Sequence, residues 1–235
     1  MSPFIGEFIG TALLLLFGAG VVANVVLSKT KGQSSGWIVI TFGWAMAVFM
    51  GVYASNSLGG SGHLNPAVSI SLALFGNFDS SLLGTYLAAQ MLGAFTGAVA
   101  AWVAYKPHFD ATTDADLKLA VFCTAPAIRH PLYNILTEII GGFALLFGAL
   151  ALSKPASTMG ALDALPVALL VLGIGLSLGG PTGYAINPAR DLAPRIAHFI
   201  LPIKGKRDSD WAYAWIPVLG PIIGGLIAAK LFSLL

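Results

Sequence analysis

The sequence predicts an all-α membrane protein with six transmembrane helices and two re-entrant half-helices in an inverted repeat. Three observations carry this prediction. First, the 235 residues are 57% hydrophobic, before the 28 Gly are counted, and only 9% charged; soluble domains run at roughly 45–50% apolar with Gly included and about 25% charged. So few charges cannot clothe a water-soluble globule, which excludes a soluble domain, a disordered chain and a nucleic-acid binder. Second, six apolar stretches have the roughly 20 residues needed to cross a bilayer. Third, one short motif occurs twice, each time ahead of an apolar piece of about half that length. The formal net charge of +2 says little about partners. The single cysteine, Cys123, excludes an intramolecular disulfide framework and a four-cysteine metal site.

In chain order the stretches fall at about 4–27, 36–55, 81–104, 132–153, 161–180 and 212–234. Met1–Gly6 carries no Lys or Arg and no small-residue cleavage site follows the first stretch, so it is read as a retained span and not a signal peptide. Ser28–Gly36 is a short basic break. Lys106–Pro131 is long and holds Asp110, Asp114, Asp116, Lys118 and Arg129. Lys154–Thr158 separates the fourth stretch from the fifth, and Leu201–Asp210, with Lys204, Lys206, Arg207, Asp208 and Asp210, precedes the sixth. Trp37, Trp102, Tyr105, Trp211, Tyr213 and Trp215 lie near span ends, where amphipathic rings meet headgroups. Leu235 follows directly on the last span, so no tail for gating partners is expected.

Two apolar pieces remain, Pro66–Gly76 and Pro188–His198. Eleven residues make about 16 Å of helix, half of a hydrocarbon core of ~30 Å. Such pieces can enter halfway where protein shields their backbone. The chain also repeats itself. Glu7-Phe-Ile-Gly10 and Glu138-Ile-Ile-Gly141 open the first and fourth spans, and His63-Leu-Asn-Pro-Ala67 and Ala185-Ile-Asn-Pro-Ala189 open the two half-length pieces. Three full spans per repeat is an odd number, so the second repeat starts from the opposite side of the membrane. The expectation is one channel domain over 1–235, with inverted repeats of about 1–105 and 131–235 joined by the loop 106–130. Such architectures place the substrate path between the repeats.

Asn65 and Asn187 suit helix N-caps, and Pro66 and Pro188 suit the first helical position, where no N–H is needed. With Ala67 and Ala189 they complete two Asn-Pro-Ala motifs. One such motif is an ordinary cap; two, each heading a half-length helix in an inverted repeat, form a specific signal. The asparagines can cap through their oxygens, which leaves their N–H donors free.

On these residues the chain resembles, from end to end, the major intrinsic protein family of aquaporins and glycerol facilitators. Asn187-Pro-Ala-Arg-Asp191, Gly36-Trp-Ile-Val39 and Phe42-Gly-Trp44 are similar to its bacterial glycerol-facilitator, or aquaglyceroporin, branch. The resemblance implies the aquaporin fold, a homotetramer with a pore in each protomer, no cofactor or metal, and a multi-pass place in the cell membrane with both termini cytoplasmic. It implies that the two half-helices meet tip to tip at the membrane centre, where N-termini with roughly +0.5 charge each oppose cations and hydronium while neutral solutes pass, and where Asn65 and Asn187 offer N–H donors to the pore. It places an outer selectivity filter at Trp44, Gly175, Tyr184 and Arg190. Phe42 is the alternative to Trp44, because the stretch from Trp44 to Asn65 is one residue longer than the family's usual spacing. Gly175 then leaves space, and Trp44 and Tyr184 wall an apolar corner opposite Arg190. An Arg within a membrane is expensive and usually functional. Asp191 lies about 100° round the helix from Arg190, away from the pore.

The resemblance further implies that the carbonyls of Ser61, Gly62 and His63, and of Gly183, Tyr184 and Ala185, point inward as acceptors, with Glu7 and Glu138 holding their loops. Two roles stay open for these acids, loop support and the proton relay of a coupled transporter. Two also stay open for His63, loop brace and pore lining. With cytoplasmic termini, Lys29, Lys31, Lys106, Lys118, Arg129, Lys204, Lys206 and Arg207 lie outside and only Lys154 and Lys230 inside; the positive-inside rule alone predicts the reverse.

The function expected is passive diffusion of glycerol, water and other small neutral solutes (urea, dihydroxyacetone and undissociated lactic acid) with protons and ions excluded. The alternative is a proton-coupled transporter of a small polyol or organic acid using Glu7 or Glu138. An enzyme is not expected, since the sequence offers no Ser/His/Asp set, zinc-spaced His/Cys group or phosphate loop.

Overall fold

Proline sets the start of most helices. In the computed structural model, which describes residues 2–152 and 160–235, α1 spans Pro3–Val26, α2 Trp37–Ser57, α3 Pro66–Phe75, α4 Leu83–Ala111, α5 Ala115–Ala120, α6 Pro131–Leu152, α7 Leu165–Leu178, α8 Pro188–Ile200 and α9 Ile216–Phe232. Pro3, Pro66, Pro131 and Pro188 are first residues, and Pro166 and Pro217 are second residues, of their helices. The ring fixes φ near its helical value where a missing N–H costs nothing. No strand occurs among the described residues. The expected break Lys154–Thr158 and the end of the fourth stretch lie outside the described residues.

α1, α2, α4 and α6 are long and apolar enough to cross a membrane. The fifth and sixth stretches form shorter helices than the hydropathy suggests. α7 has 14 residues and α9 has 17, about 21 and 26 Å. Pro166 and Pro217 delay their starts, and Gly179, Gly180 and Pro181 end α7. The third stretch departs the other way. α4 continues past 104 through Lys106 and Pro107 to Ala111, helped by the i,i+4 ion pair of Lys106 with Asp110. The connection expected at 106–130 therefore narrows to 112–130 and contains α5, capped by the Asp114 carboxylate on the N–H groups of Asp116 and Leu117. α3 and α8, with 10 and 13 residues, are the two half-length helices.

α1 lies along α4 and α6 along α9, and α2 packs on both α1 and α7. The two long contacts are made possible by glycine: a Cβ on Gly97 would sit 2.2 Å from the Ala12 carbonyl oxygen, and one on Gly224 would sit 2.1 Å from that of Ile139. Small residues let membrane helices approach closely without polar partners. α3 lies against α9 and α4, and α8 against α4 and α9, so both half-helices are shielded by full-length neighbours. Large apolar side chains such as Ile38, Phe42, Leu92, Val103, Ile140 and Leu176 face outward, as a lipid-facing surface requires.

Candidate functional site

The loops that lead into α3 and α8 are each held by one buried carboxylate. Glu7 of α1 is fully buried. Its Oε1 accepts from Ser55 Oγ (3.0 Å), Ser61 N (3.3 Å) and His63 N (3.0 Å), and its Oε2 from Leu64 N and Gln90 Nε2 (2.8 Å each). Glu138 of α6 does the same work for the other loop. Its Oε1 accepts from Thr182 Oγ1 (2.7 Å) and Ala185 N (3.0 Å), and its Oε2 from Ile186 N (2.8 Å). A buried carboxylate is tolerable only when its lone pairs are satisfied, and here most of the donors are the loop's own amides, the rest being Ser55, Gln90 and Thr182 side chains.

That support is needed because the loops are strained. Counting back from each Asn, the first and third residues have left-handed backbone: Leu64 (φ 52°) and Gly62 (φ 67°) before Asn65, Ile186 (φ 45°) and Tyr184 (φ 38°) before Asn187. Left-handed φ is costly for a β-branched residue such as Ile186. The outcome is a matched pair of extended loops. Ser61, Gly62 and His63 from one, and Tyr184 and Ala185 from the other, line a central cavity of about 300 Å³. Gly183 is not among the lining residues; a Cβ there would lie 3.3 Å from Thr124 Cγ2. His63 both lines the cavity and braces its loop, with Nδ1 3.0 Å from Ser69 Oγ and its ring against Phe78 and Tyr86.

The half-helices meet at their N-termini through the asparagines. Asn65 Oδ1 accepts from Ala67 N (2.9 Å), and Asn187 Oδ1 accepts from Ala189 N (3.0 Å) and Arg190 N (3.3 Å). Each Nδ2 donates across to the opposite loop: Asn65 to the Ile186 carbonyl and Asn187 to the Leu64 carbonyl, both at 2.8 Å. A primary amide has two N–H donors. One locks the loops together, and the second remains for the cavity that both residues line.

Trp44, Tyr184 and Arg190 also line the cavity, each less than a tenth exposed. The Arg190 guanidinium carbon lies 4.0 Å from the Trp44 ring centroid. Arg190 Nη1, Trp44 Nε1 and Tyr184 Oη have no protein partner. Phe42, the alternative to Trp44, is 52% exposed on the outer surface. Gly175 does not line the cavity; its contribution is indirect. A Cβ there would meet Tyr184 Cζ at 2.8 Å and Tyr184 Oη at 3.0 Å, so the space left by the missing side chain holds the end of the tyrosine. Trp37 closes the back of this niche, its Nε1 donating to the Gly175 carbonyl (3.1 Å) and its ring edge-to-face with Tyr184. The remaining cavity wall, including Leu14, Val48, Val52, Leu145 and Val171, is apolar.

The family model described as Major intrinsic protein matches residues 1–232. The chain belongs to the major intrinsic protein family. The "Probable glycerol uptake facilitator protein" of Thermotoga maritima is 56% identical over 233 residues, covering 99% of each chain. The "D/L-lactic acid transporter" of Lactiplantibacillus plantarum is 42% identical, covering 97% of this chain and 95% of its own. The X-ray structure of the aquaglyceroporin from Plasmodium falciparum superposes with a TM-score of 0.87 at 32% identity, covering 98% of this chain and 94% of that one. The fold is thus the aquaporin fold of an integral membrane channel, and the family's members are channels, not enzymes.

This major intrinsic protein also uses residues that sequence reasoning passed over. Gln90 of α4 donates to both Glu7 and Ser69 Oγ, joining α1, α3 and α4 behind the loop that leads into α3. Arg195, five residues beyond Arg190 on α8, is fully buried and bonds Asp191. A carboxylate and a guanidinium four apart on a half-helix inside a membrane was the signal that could have found it.

Proposed function

We propose that the protein is a passive channel for glycerol, water and other small neutral solutes, urea and dihydroxyacetone among them. The observation that carries this reading is an apolar cavity lined together by Trp44, Tyr184 and the Arg190 guanidinium and by the two asparagine amides at the half-helix tips. A polyol can lay its carbons on Trp44 and the aliphatic wall while its hydroxyl oxygens accept from Arg190 and then from Asn65 and Asn187. The filter is therefore assigned to Trp44, Tyr184 and Arg190, with Gly175 acting through Tyr184. The Arg190 charge and the half-helix N-termini oppose cations. A water oxygen that accepts from both asparagines is turned out of any proton-conducting file.

The coupled-transporter alternative is disfavoured by the acids themselves. Glu7 receives five donors and Glu138 three, and neither lines the cavity, so taking up a proton would cost bonds to the loops they hold. Undissociated lactic acid is included among the solutes on account of the lactic acid transporter relative. It carries hydroxyl and carboxyl oxygens for Arg190 and a methyl for Trp44, whereas its anion must shed water in an apolar lumen.

The same reading makes the chain one domain of two inverted repeats, about 1–105 and 131–235, assembled as a homotetramer with cytoplasmic termini. The positive-inside rule opposes this orientation; the reading rests instead on the match to the family over residues 1–232.

The test is stopped-flow light scattering on proteoliposomes with a panel of solutes of rising size. Glycerol, urea and dihydroxyacetone should equilibrate far faster than in empty liposomes, and six-carbon polyols should not. Protein-dependent glycerol flux no greater than the lipid background would overturn the proposal.

A further inference from the structure

Arg190 and Asp191 are neighbours on α8 with opposite charges, yet they do not form an ion pair. Arg190 turns to the Trp44 ring and the cavity. Asp191 turns away and is fully buried. Its Oδ2 accepts from Thr124 N and Oγ1, both at 2.7 Å, and its Oδ1 from Arg195 Nε at 2.8 Å. Arg195, also fully buried, spends its other donors on backbone carbonyls: Nη1 on Ser209 (2.7 Å) and Asp210 (3.1 Å), Nη2 on Thr124 (2.9 Å). One guanidinium therefore does two things. It neutralises the carboxylate nearest in sequence to the filter arginine, and it ties the 112–130 connection and the segment before α9 to α8. Ala127 N donating to the Pro181 carbonyl (3.0 Å) and the contact of Thr124 with Gly183 carry that tie into the loop that presents Tyr184.

We propose that Arg195 is a positioning residue of the filter. By holding Asp191 it leaves the Arg190 charge uncompensated toward the lumen, and so sets how strictly the channel excludes protons and other cations. Without Arg195, Asp191 becomes an unpaired negative charge one residue from Arg190, in a low-dielectric interior where charges act at longer range than in water. Such a charge either draws the Arg190 guanidinium off Trp44 or cancels its field across the constriction. In both cases cations are favoured more than neutral solutes. This rests on the reading of Arg190 as the filter's cationic member.

The experiment measures proton leak, driven by a potassium diffusion potential and followed with an entrapped pH dye, as a ratio to glycerol permeability in the same proteoliposomes. Arg195→Gln should raise that ratio on the order of tenfold. Removing both charges, as Asp191→Asn with Arg195→Gln, should bring it back to within about twofold of the wild type, because a buried pair replaced as a unit leaves no stray charge. Arg190→Val is measured alongside. If it does not leak, the reading of Arg190 fails; if it leaks and Arg195→Gln does not, the present proposal fails. A purely structural role would lower glycerol flux and stability in both Arg195 variants with the ratio unchanged, and that result also overturns it. Should Arg195→Gln not insert, Arg195→Lys takes its place. A lysine keeps the charge but reaches fewer carbonyls, so the wild-type leak ratio with a lowered thermal midpoint is expected, and a raised ratio there counts against the proposal.

Discussion

Replacing Gly175 by alanine asks how the width of the constriction is set. The new Cβ would lie 2.8 Å from Tyr184 Cζ and 3.0 Å from both Tyr184 Oη and Thr41 Cγ2. Carbon–carbon contact becomes favourable only near 3.5–4.0 Å, so the tyrosine ring must move by roughly half an ångström or more. Trp37 blocks the back of the niche, and the open side is the lumen. Overpacking of this kind costs about 1–3 kcal/mol. If that cost falls on the barrier for a solute that fills the slot, permeability drops by a factor of about 5 to 150. Glycerol flux should therefore fall about tenfold in stopped-flow light scattering, and water, being smaller, should fall much less. Gly173→Ala is the matched control, because a Cβ there meets nothing within 4 Å. An unchanged glycerol-to-water ratio in Gly175→Ala, or the same loss in Gly173→Ala, would refute the idea that Gly175 works by housing Tyr184.

Four further outcomes are expected. Arg190→Val should admit longer polyols and raise proton leak, both read in proteoliposomes; unchanged solute ranking and leak with normal insertion would count against the filter assignment. Glu138→Gln turns one acceptor into a donor, which then faces the amide of either Ala185 or Ile186, costing roughly 1.5–3 kcal/mol per charged bond lost. A lower thermal midpoint and reduced flux should follow, and an unaltered midpoint would sink the loop-support role. Inorganic mercury should inhibit weakly, because Cys123 is buried and burial pushes its thiol pKa up, disfavouring the reactive thiolate. Strong inhibition that disappears in Cys123→Ser would show the thiol to be reachable. Labelled lactate uptake by expressing cells should track the protonated acid and rise as pH falls; uptake that follows the anion would rule out the neutral-acid reading.

Much of the fold could be read from the chain because bilayer crossing demands long apolar runs and the repeated motif marks both half-helices. Helix ends were less legible. Hydropathy does not register that Pro166 and Pro217 delay α7 and α9, or that Lys106 and Asp110 pair to carry α4 onward. At the site the same divide holds. Asn65 and Asn187 stand out because a repeated Asn-Pro-Ala marks them, and Arg190 because the family resemblance points to it. The space that Gly175 leaves is taken up by Tyr184, which comes from the loop after α7 folded back on it. Gln90 and Arg195 were passed over for a related reason. Their partners, Glu7 and Ser69 for one, Thr124 and Ser209 for the other, come from distant stretches that only packing brings together.

The claim that this is a passive neutral-solute pore and not a coupled carrier is tested most directly by glycerol flux in proteoliposomes, measured against concentration with and without an imposed proton gradient. Flux should rise linearly to high glycerol and be the same under either gradient. Saturation at moderate glycerol together with acceleration by an inward proton gradient would contradict it and return Glu7 and Glu138 to a coupling role.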